Sequence, residues 1–276
     1  MKTRILTAIV MAIVGIPILI FSQYIVYPIT VAILALFGVY EMLRTLGLEK
    51  NYLLSYPAYV MALSLPILAY FFSVKSTLTF ILAVAAALFI YLIYTFFVAV
   101  FARGKIKYSE ICTAFASVTY LVFSFTALSV IRCLENGIWN LVILLIAAWG
   151  CDSSAYFTGF LIGKHKLIPE ISPKKTVEGA IGGIVGATLL MLLFGFIVSV
   201  TTNLTPNYLV LALLGFVLSA ISQVGDLIAS LIKREHGVKD YGNIFPGHGG
   251  VMDRFDSVLS ITTILMVVCI LFPPFT

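Results

Sequence analysis

The sequence predicts an all-α fold, that of a polytopic integral membrane protein with about nine transmembrane helices. Of its 276 residues, 61% are hydrophobic and only 11% are charged, and the mean hydropathy is +1.11. Soluble domains are about a quarter charged, so this chain has too few polar side chains to cover a soluble surface. The four cysteines lie in apolar runs without a C-x-x-C pair, which argues against a disulfide framework or a zinc site.

Apolar runs separated by polar breaks define the expected spans. A helix that crosses about 30 Å of hydrocarbon needs about 20 apolar residues. The first run follows Met-Lys-Thr-Arg, but it is long and lacks a small-x-small cleavage site, so we interpret it as a retained anchor. The nine runs are 5–22, 25–40, 53–73, 77–102, 111–134, 138–163, 176–200, 207–232 and 250–272.

Basic residues predict the orientation of these spans. Cytoplasmic loops carry an excess of Lys and Arg. If the amino terminus is inside, the outside segments contain only Lys75 and Arg132, and nearly all other basic residues are inside. We therefore predict a cytoplasmic amino terminus in the cell membrane, an external carboxyl terminus, and a net charge of +5 that reports topology and not a nucleic-acid partner.

The charged residues inside spans are concentrated in the second half of the chain. A charge at mid-membrane costs about 2.5–3.5 kcal/mol on insertion scales, so such residues are candidates for function. We predict five supporting or lipid-facing helices in residues 1–137, with Glu41 as an interface charge. Residues 138–276 are the predicted catalytic region, with four helices, two cytoplasmic loops (164–175 and 233–249), and the charged residues Asp152, Glu178, Asp226, Asp253, Arg254 and Asp256.

Span eight has one polar face. Side chains three or four residues apart share a helical face, and here that face contains Ser219, Ser222, Asp226, Ser230 and Lys233, with Gln223 beside it. Serines alone are also typical of a helix-packing seam. An ionised Asp226 in this setting requires a cation.

Span nine begins with two carboxylates that share a face. Asp253 and Asp256 are three residues apart, and carboxylates this close repel unless a cation lies near them. Carboxylate oxygens, phosphate and water are the ligands that magnesium prefers. The alternative is that both residues only complement the positive end of the helix.

The loop before span seven contains a basic cluster. Ser172 followed by Pro173 resembles an N-cap with proline at the first helical position. Lys174 and Lys175 would then oppose the helix dipole unless an anion such as phosphate bound there. The lysines could equally reflect topology or bind anionic lipid.

The glycines and histidines of the second half also carry predictions. Glycines 179, 182, 183 and 186 predict close helix packing. His165 and His236 are expected to be solvated. His248 lies among glycines in a loop whose backbone amides could approach a phosphate.

Two segments resemble one enzyme family. The run 230–256 (SLIKREHGVKDYGNIFPGHGGVMDRFD) closely resembles the signature of phosphatidate cytidylyltransferases, the CDP-diacylglycerol synthases. Upstream, Asp152, Gly159, Gly163-Lys164 and the run 171–179 (ISPKKTVEG) also look like that family. Phe160 departs from it, because many members have a basic residue there.

This resemblance implies that CTP and phosphatidate in the membrane react to give CDP-diacylglycerol and pyrophosphate. It also implies that the reaction depends on Mg²⁺, with a second cation as an option, and that the protein is a homodimer. It implies catalytic roles for Asp226, Asp253, Lys233 and Arg254, and metal ligation by Asp226, Asp253 and Asp256. The substrate-binding residues would be Asp152, Ser172, Lys175, Glu178, Lys233, Arg234, Lys239, Asp240, His248 and Arg254.

Two other functions remain open at this point. A CTP-dependent lipid-alcohol kinase would need a base for its acceptor hydroxyl, and no candidate base is evident. A cation-coupled transporter would use intramembrane carboxylates, but the charges are confined to the cytoplasmic half of the spans.

Overall fold

The computed structural model describes residues 2–72, 76–103 and 106–276, with only the backbone for residues 2–6 and 8. Lys75 and Lys105, two of the residues used to predict topology, lie outside the described residues. The helices are α1 (Lys2–Ile20), α2 (Val26–Thr45), α3 (Tyr52–Phe72), α4 (Thr77–Phe101), α5 (Tyr108–Cys133), α6 (Gly137–Ile162), α7 (Val177–Thr201), α8 (Tyr208–Glu235) and α9 (Met252–Leu271).

Helices α2 to α9 are each long and apolar enough to cross a bilayer. The apolar part of α1 over which side chains are described, Ile9–Ile20, is shorter. The all-α polytopic fold is therefore confirmed, and the helices correspond in order to the nine apolar runs. Strands β1 (Lys166–Ile168) and β2 (Ser172–Thr176) form one antiparallel hairpin.

The chain divides into two compact units. The first comprises the described part of residues 1–134 together with His236–Arg254, and the second comprises Glu135–Glu235 and Phe255–Thr276. Helix α9 begins in the first unit and continues in the second. The signature loop, which we define as residues 236–251, is thus grouped with the first five helices.

In the first unit, α2, α3 and α5 form the packed centre. Leu43, Leu54 and Phe125 are completely buried there. Helix α4 contacts α3 and α5 at the edge, and its outward side chains are large and apolar, as expected of a surface that faces lipid.

In the second unit, α6, α7 and α8 pack closely. A Cβ atom added at Gly182 would overlap Thr158 of α6, and one at Gly186 would overlap Ser154. These α7 glycines therefore allow the close helix packing that the sequence predicted.

Candidate active site

Hairpin β1–β2 corrects the predicted start of α7. Ser172 and Pro173 lie in β2, not at a helix start, and α7 begins at Val177. The N-cap is Thr176, whose Oγ1 accepts a hydrogen bond from Gly179 N at 3.1 Å. Strand pairing of Ser172 with Ile168 takes precedence over the local Ser-Pro signal. Lys174 and Lys175 lie in β2 and not in the first turn of a helix. The helix dipole therefore gives no reason to expect an anion beside them.

Glu178 fixes the hairpin to the first turn of α7. Its carboxylate accepts hydrogen bonds from the backbone amides of Lys164 (3.1 Å) and His165 (3.2 Å), and His165 Nδ1 lies 2.6 Å from Oε1. The His165 side chain is exposed but paired, so it is not merely solvated. An acidic residue at this position also complements the helix dipole.

The polar face of α8 points into the second unit. Ser219, Ser222, Gln223 and Lys233 are buried. Gln223 Nε2 donates to the carbonyl oxygen of Ala180 on α7 at 3.0 Å. The face predicted from sequence is therefore an inward one, and the carboxylate of Asp226 lies on it.

Lys175 and Asp226 form an ion pair between β2 and α8. Each side chain is about one quarter exposed, whereas the Lys175 Nζ atom itself is buried. Hairpin β1–β2 thus positions the Lys175 ammonium group beside the Asp226 carboxylate, which the sequence predicted to need a cation.

Asp256 joins this group from α9. Its carboxyl group lies close enough to Asp226 and to Lys233 to interact electrostatically with both. Asp256 is buried, with 8% of its surface exposed. Two carboxyl groups and two ammonium groups therefore converge in the second unit.

Ser257 connects Asp256 to Asp152. Its backbone N–H donates to Asp256 Oδ1 at 2.8 Å, and its hydroxyl lies 3.4 Å from Asp152 Oδ2. Asp152 follows a π-helical turn, Ile146–Gly150, within α6. Such turns are frequent at functional sites.

The signature loop folds around Asp253 in the first unit. Asp253 Oδ2 accepts hydrogen bonds from Tyr241 N (2.8 Å) and Gly250 N (2.9 Å). The chain then makes a short turn, in which Phe245 N donates a hydrogen bond to Gly249 O at 2.9 Å. Gly249 adopts the left-handed region at φ +83°. Asp253 therefore closes the loop at the start of α9.

A cavity of about 430 Å³ opens in this loop. Exposed Lys239, Asp240 and Arg254 contribute to its wall, as does the half-buried His248. The cavity thus brings together four of the predicted substrate-binding residues. Arg234, at the end of α8, is exposed in the other unit.

Glu41 was missed by the sequence analysis. It is not an interface charge, because only 1% of its surface is exposed. Oε1 accepts a hydrogen bond from Val251 N (3.1 Å) and Oε2 one from Met252 N (2.9 Å). A Cβ at Gly250 would overlap this carboxylate. The available signal was an acidic residue directly after the apolar run 25–40.

The predicted metal ligands fall into both units. Asp226 and Asp256 lie together in the second unit, and Asp253 belongs to the first. Over residues 2–72, 76–103 and 106–276, no group of three or more His, Cys, Asp or Glu side chains is arranged to hold a metal ion. Cys112, Cys133, Cys151 and Cys269 are free cysteines.

The fold and these side chains define a class of membrane-embedded protein with carboxylates close to lysines in one unit and a loop cavity lined by Lys239 and Arg254 in the other. Comparison with known proteins agrees with that class. Residues 2–272 match the model of the cytidylyltransferase family, and the chain belongs to that family.

Curated relatives extend the similarity over the full chain. A phosphatidate cytidylyltransferase of Bacillus subtilis (strain 168) is 37% identical, and the alignment covers 99% of this chain and 98% of the relative. One of Staphylococcus haemolyticus (strain JCSC1435) is 34% identical, with 98% and 99% covered. The family resemblance of the two signature segments is thereby confirmed.

Proposed function

We propose that the protein is a phosphatidate cytidylyltransferase that transfers the cytidylyl group of CTP to phosphatidate in phospholipid biosynthesis. The observation that carries the proposal is the convergence of Asp226, Asp256, Lys175 and Lys233 within a chain of this family. The names of the full-length relatives supply the substrate and the product class.

The proposed reaction needs no strong general base. An oxygen of the lipid phosphate attacks the α-phosphorus of CTP, and the bond from that phosphorus to the oxygen bridging to the β-phosphate breaks. CDP-diacylglycerol forms and pyrophosphate leaves with the electron pair. Because a phosphate monoester is already largely ionised at neutral pH, catalysis rests on positioning and on neutralising charge.

The carboxylates of the second unit fit a magnesium ion. Magnesium is commonly bound by one or two carboxylates together with substrate phosphates and water, so the pair Asp226 and Asp256 is a sufficient protein contribution. When bound, the ion would supply charge neutralisation for the triphosphate. The roles of Asp253 as a third ligand and of a second cation stay predictions.

The lysines of the same group have a defined part in the proposal. Lys175, held by Asp226, and Lys233, close to Asp256, place positive charge beside the carboxylates. They would bind phosphate oxygens of the reacting groups and stabilise the charge that develops on the leaving pyrophosphate. Asp152 and Ser257 would hold Asp256 in position through their hydrogen bonds.

The remaining predicted contacts have separate support. Lys239, His248 and Arg254 share one cavity with Asp240, which favours their proposed role in binding an anionic substrate group. The hydrogen bonds of Glu178 to the hairpin favour a positioning role for this residue. Direct substrate binding by Ser172, Glu178 and Arg234, and a homodimer, stay predictions.

We also propose that the amino terminus and the signature loop lie on the cytoplasmic side and the carboxyl terminus outside. The support is the distribution of basic residues among the segments between spans. Cysteine labelling from outside intact cells at the carboxyl-terminal Thr276, compared with a cysteine placed at Lys239, tests this orientation.

The decisive experiment is incubation of detergent-purified protein with labelled CTP, phosphatidate and Mg²⁺. CDP-diacylglycerol and pyrophosphate in equal amounts are expected. CDP with a phosphorylated alcohol would identify a kinase, and ion flux without nucleotide turnover a transporter, so either result would refute the proposal. Asp226→Asn is the inactive variant, and Glu135→Gln, an exposed carboxylate-to-amide change, is the control.

A further inference from the structure

A second cavity lies in the first unit, far from the signature loop. Its volume is about 470 Å³, and it lies where α1 is followed by α2 and where α3 and α5 end. Tyr27 of its wall and Glu41 at the loop are about 20 Å apart along α2 at 1.5 Å per residue. The cavity is therefore at the opposite membrane face from the loop. Its wall includes Ser22, Tyr27, Tyr70, Phe71, Ser129 and Arg132.

Arg132 gives this cavity a fixed positive charge. Its Nε–H donates to Ser22 Oγ at 2.6 Å, which orients the half-buried guanidinium. In the described part of the chain, no acidic side chain contributes to the cavity wall. A guanidinium presents a fork of donors that matches phosphate oxygens, so the electrostatics favour an anion.

Ser129 provides an independent observation. Its side chain is 1% exposed, it lines the cavity, and over the described residues its hydroxyl has no hydrogen-bond partner. Leaving a buried hydroxyl unpaired is unfavourable. A ligand oxygen in the cavity would accept this hydrogen bond.

Three aromatic residues form another part of the wall. Tyr27, Tyr70 and Phe71 present rings to the cavity, and aromatic side chains are typical of the interface between lipid headgroups and acyl chains. A small inorganic anion would satisfy Arg132 and Ser129 but would leave these rings uncovered. A ligand that combines a phosphate with an apolar portion covers both.

We propose that this cavity binds an anionic phospholipid of the membrane leaflet opposite to the signature loop. The phosphate pairs with Arg132 and accepts a hydrogen bond from Ser129, and the glycerol and upper acyl chains lie against the aromatic rings. This site is distinct from the proposed cytidylyltransferase site and does not depend on that function.

The test measures lipid binding and thermal stability of the purified full chain in mixed micelles. Phosphatidylglycerol is the probe, phosphatidylcholine is the zwitterionic comparison, and inorganic phosphate and glycerol 3-phosphate are the soluble anions. The variants are Arg132→Gln and Ser129→Ala. Lys50→Gln removes an exposed positive charge elsewhere in the same unit and is the matched control.

Phosphatidylglycerol is expected to raise the Tm of the wild type and of K50Q more than phosphatidylcholine does. Lipid retained after delipidation, measured by mass spectrometry, should fall about tenfold in R132Q and by a smaller factor in S129A. S129A keeps the proposal testable if R132Q does not fold, because loss of one hydroxyl leaves the packing almost unchanged.

Equal retention by S129A, K50Q and the wild type would overturn the proposal. Equal stabilisation by phosphatidylcholine would show that the phosphate charge is not recognised. Equal stabilisation by inorganic phosphate or glycerol 3-phosphate would identify a soluble anion as the occupant and would overturn the lipid assignment. Cytidylyltransferase turnover, measured in parallel, reports on folding of each variant and is expected to persist in S129A.

Discussion

Glu41 on α2 accepts a hydrogen bond from the backbone amide of Met252, the first residue of α9. The other carboxylate oxygen accepts one from Val251. The first amides of a helix have no partner within the helix, and this buried carboxylate supplies one from more than two hundred residues away. It therefore fixes where the helix that carries Asp253, Arg254 and Asp256 begins.

Replacing this carboxylate tests its positioning role. Glu41→Gln presents an amide N–H₂ to one of the two backbone donors, so one hydrogen bond is lost. We expect the free energy of unfolding to fall by about 1–3 kcal/mol and kcat to fall more than KM changes. Thermal unfolding and steady-state kinetics measure both quantities.

Glu110→Gln is the matched control for that change. Glu110 also caps a helix, α5, by accepting from Lys107 N at 3.2 Å, but this contact is exposed. A cost of at most about 1 kcal/mol is expected there, with no effect on kcat. If both variants behaved alike, burial of the Glu41 contact would have no special importance.

The ion pair between Lys175 and Asp226 should be measurable as a coupling. Asp226→Asn, Lys175→Gln and the double variant form a double-mutant cycle. The loss of unfolding free energy in the double variant should be smaller than the sum of the losses in the two single variants. Because each side chain is about one quarter exposed, solvent screening limits the coupling energy to about 1 kcal/mol. Chemical unfolding in detergent measures it, and strictly additive costs would contradict the pairing.

Turnover of the same variants addresses the metal proposal. Asp226→Asn and Asp256→Asn should each reduce turnover strongly and raise the magnesium concentration needed for half-maximal rate, because carboxylate oxygens are the preferred ligands. Titration of turnover with magnesium measures this. Near-normal magnesium dependence in both variants would eliminate the pair as the metal site.

Thr176 and Ser172 separate the observed helix start from the one expected from sequence. Thr176→Ala removes the N-cap of α7 and should cost about 1 kcal/mol. Ser172→Ala alters a strand residue and should change stability by less than half of that. Differential scanning fluorimetry of both variants provides the comparison, and a larger loss in Ser172→Ala would restore the original expectation.

Close packing of α6 against α7 is tested with one glycine and a glycine control. Gly182→Ala places a Cβ where Thr158 lies, and overpacking of this kind costs about 1–3 kcal/mol. Gly15→Ala, in α1, adds a Cβ with nothing within 4 Å and should be neutral or slightly stabilising because alanine is the better helix former. Thermal unfolding of the two variants should therefore differ in sign or clearly in size.

The helices were predictable because the membrane requires a long apolar run for each span. The inward face of α8 was predictable because polar residues at steps of three or four share a face. The hairpin was not, since Ser172-Pro173 matches a helix start locally and only pairing with Ile168 decides otherwise.

The hydrogen-bonding role of Glu41 could not have been predicted from the sequence, for a related reason. Its partners are backbone amides in the signature loop and α9, and backbone groups carry no residue-type signal. The ion pair of Lys175 with Asp226 likewise depends on the hairpin, whose geometry brings the lysine to α8. The sequence thus identified charged residues that lie together in the structure, but several of their contacts could not be predicted.

The buried carboxylate of Glu41 also limits how far the molecule can be dissected. A fragment of residues 138–276 would contain every charged residue first suspected of chemistry and yet would begin its last helix with two amides whose acceptor is missing. A minimal enzyme made by deleting the first five helices would therefore need another acceptor for those two amides. In this protein, a division of the sequence at residue 138 does not coincide with the division into compact units, because residues 236–254 belong with the first five helices.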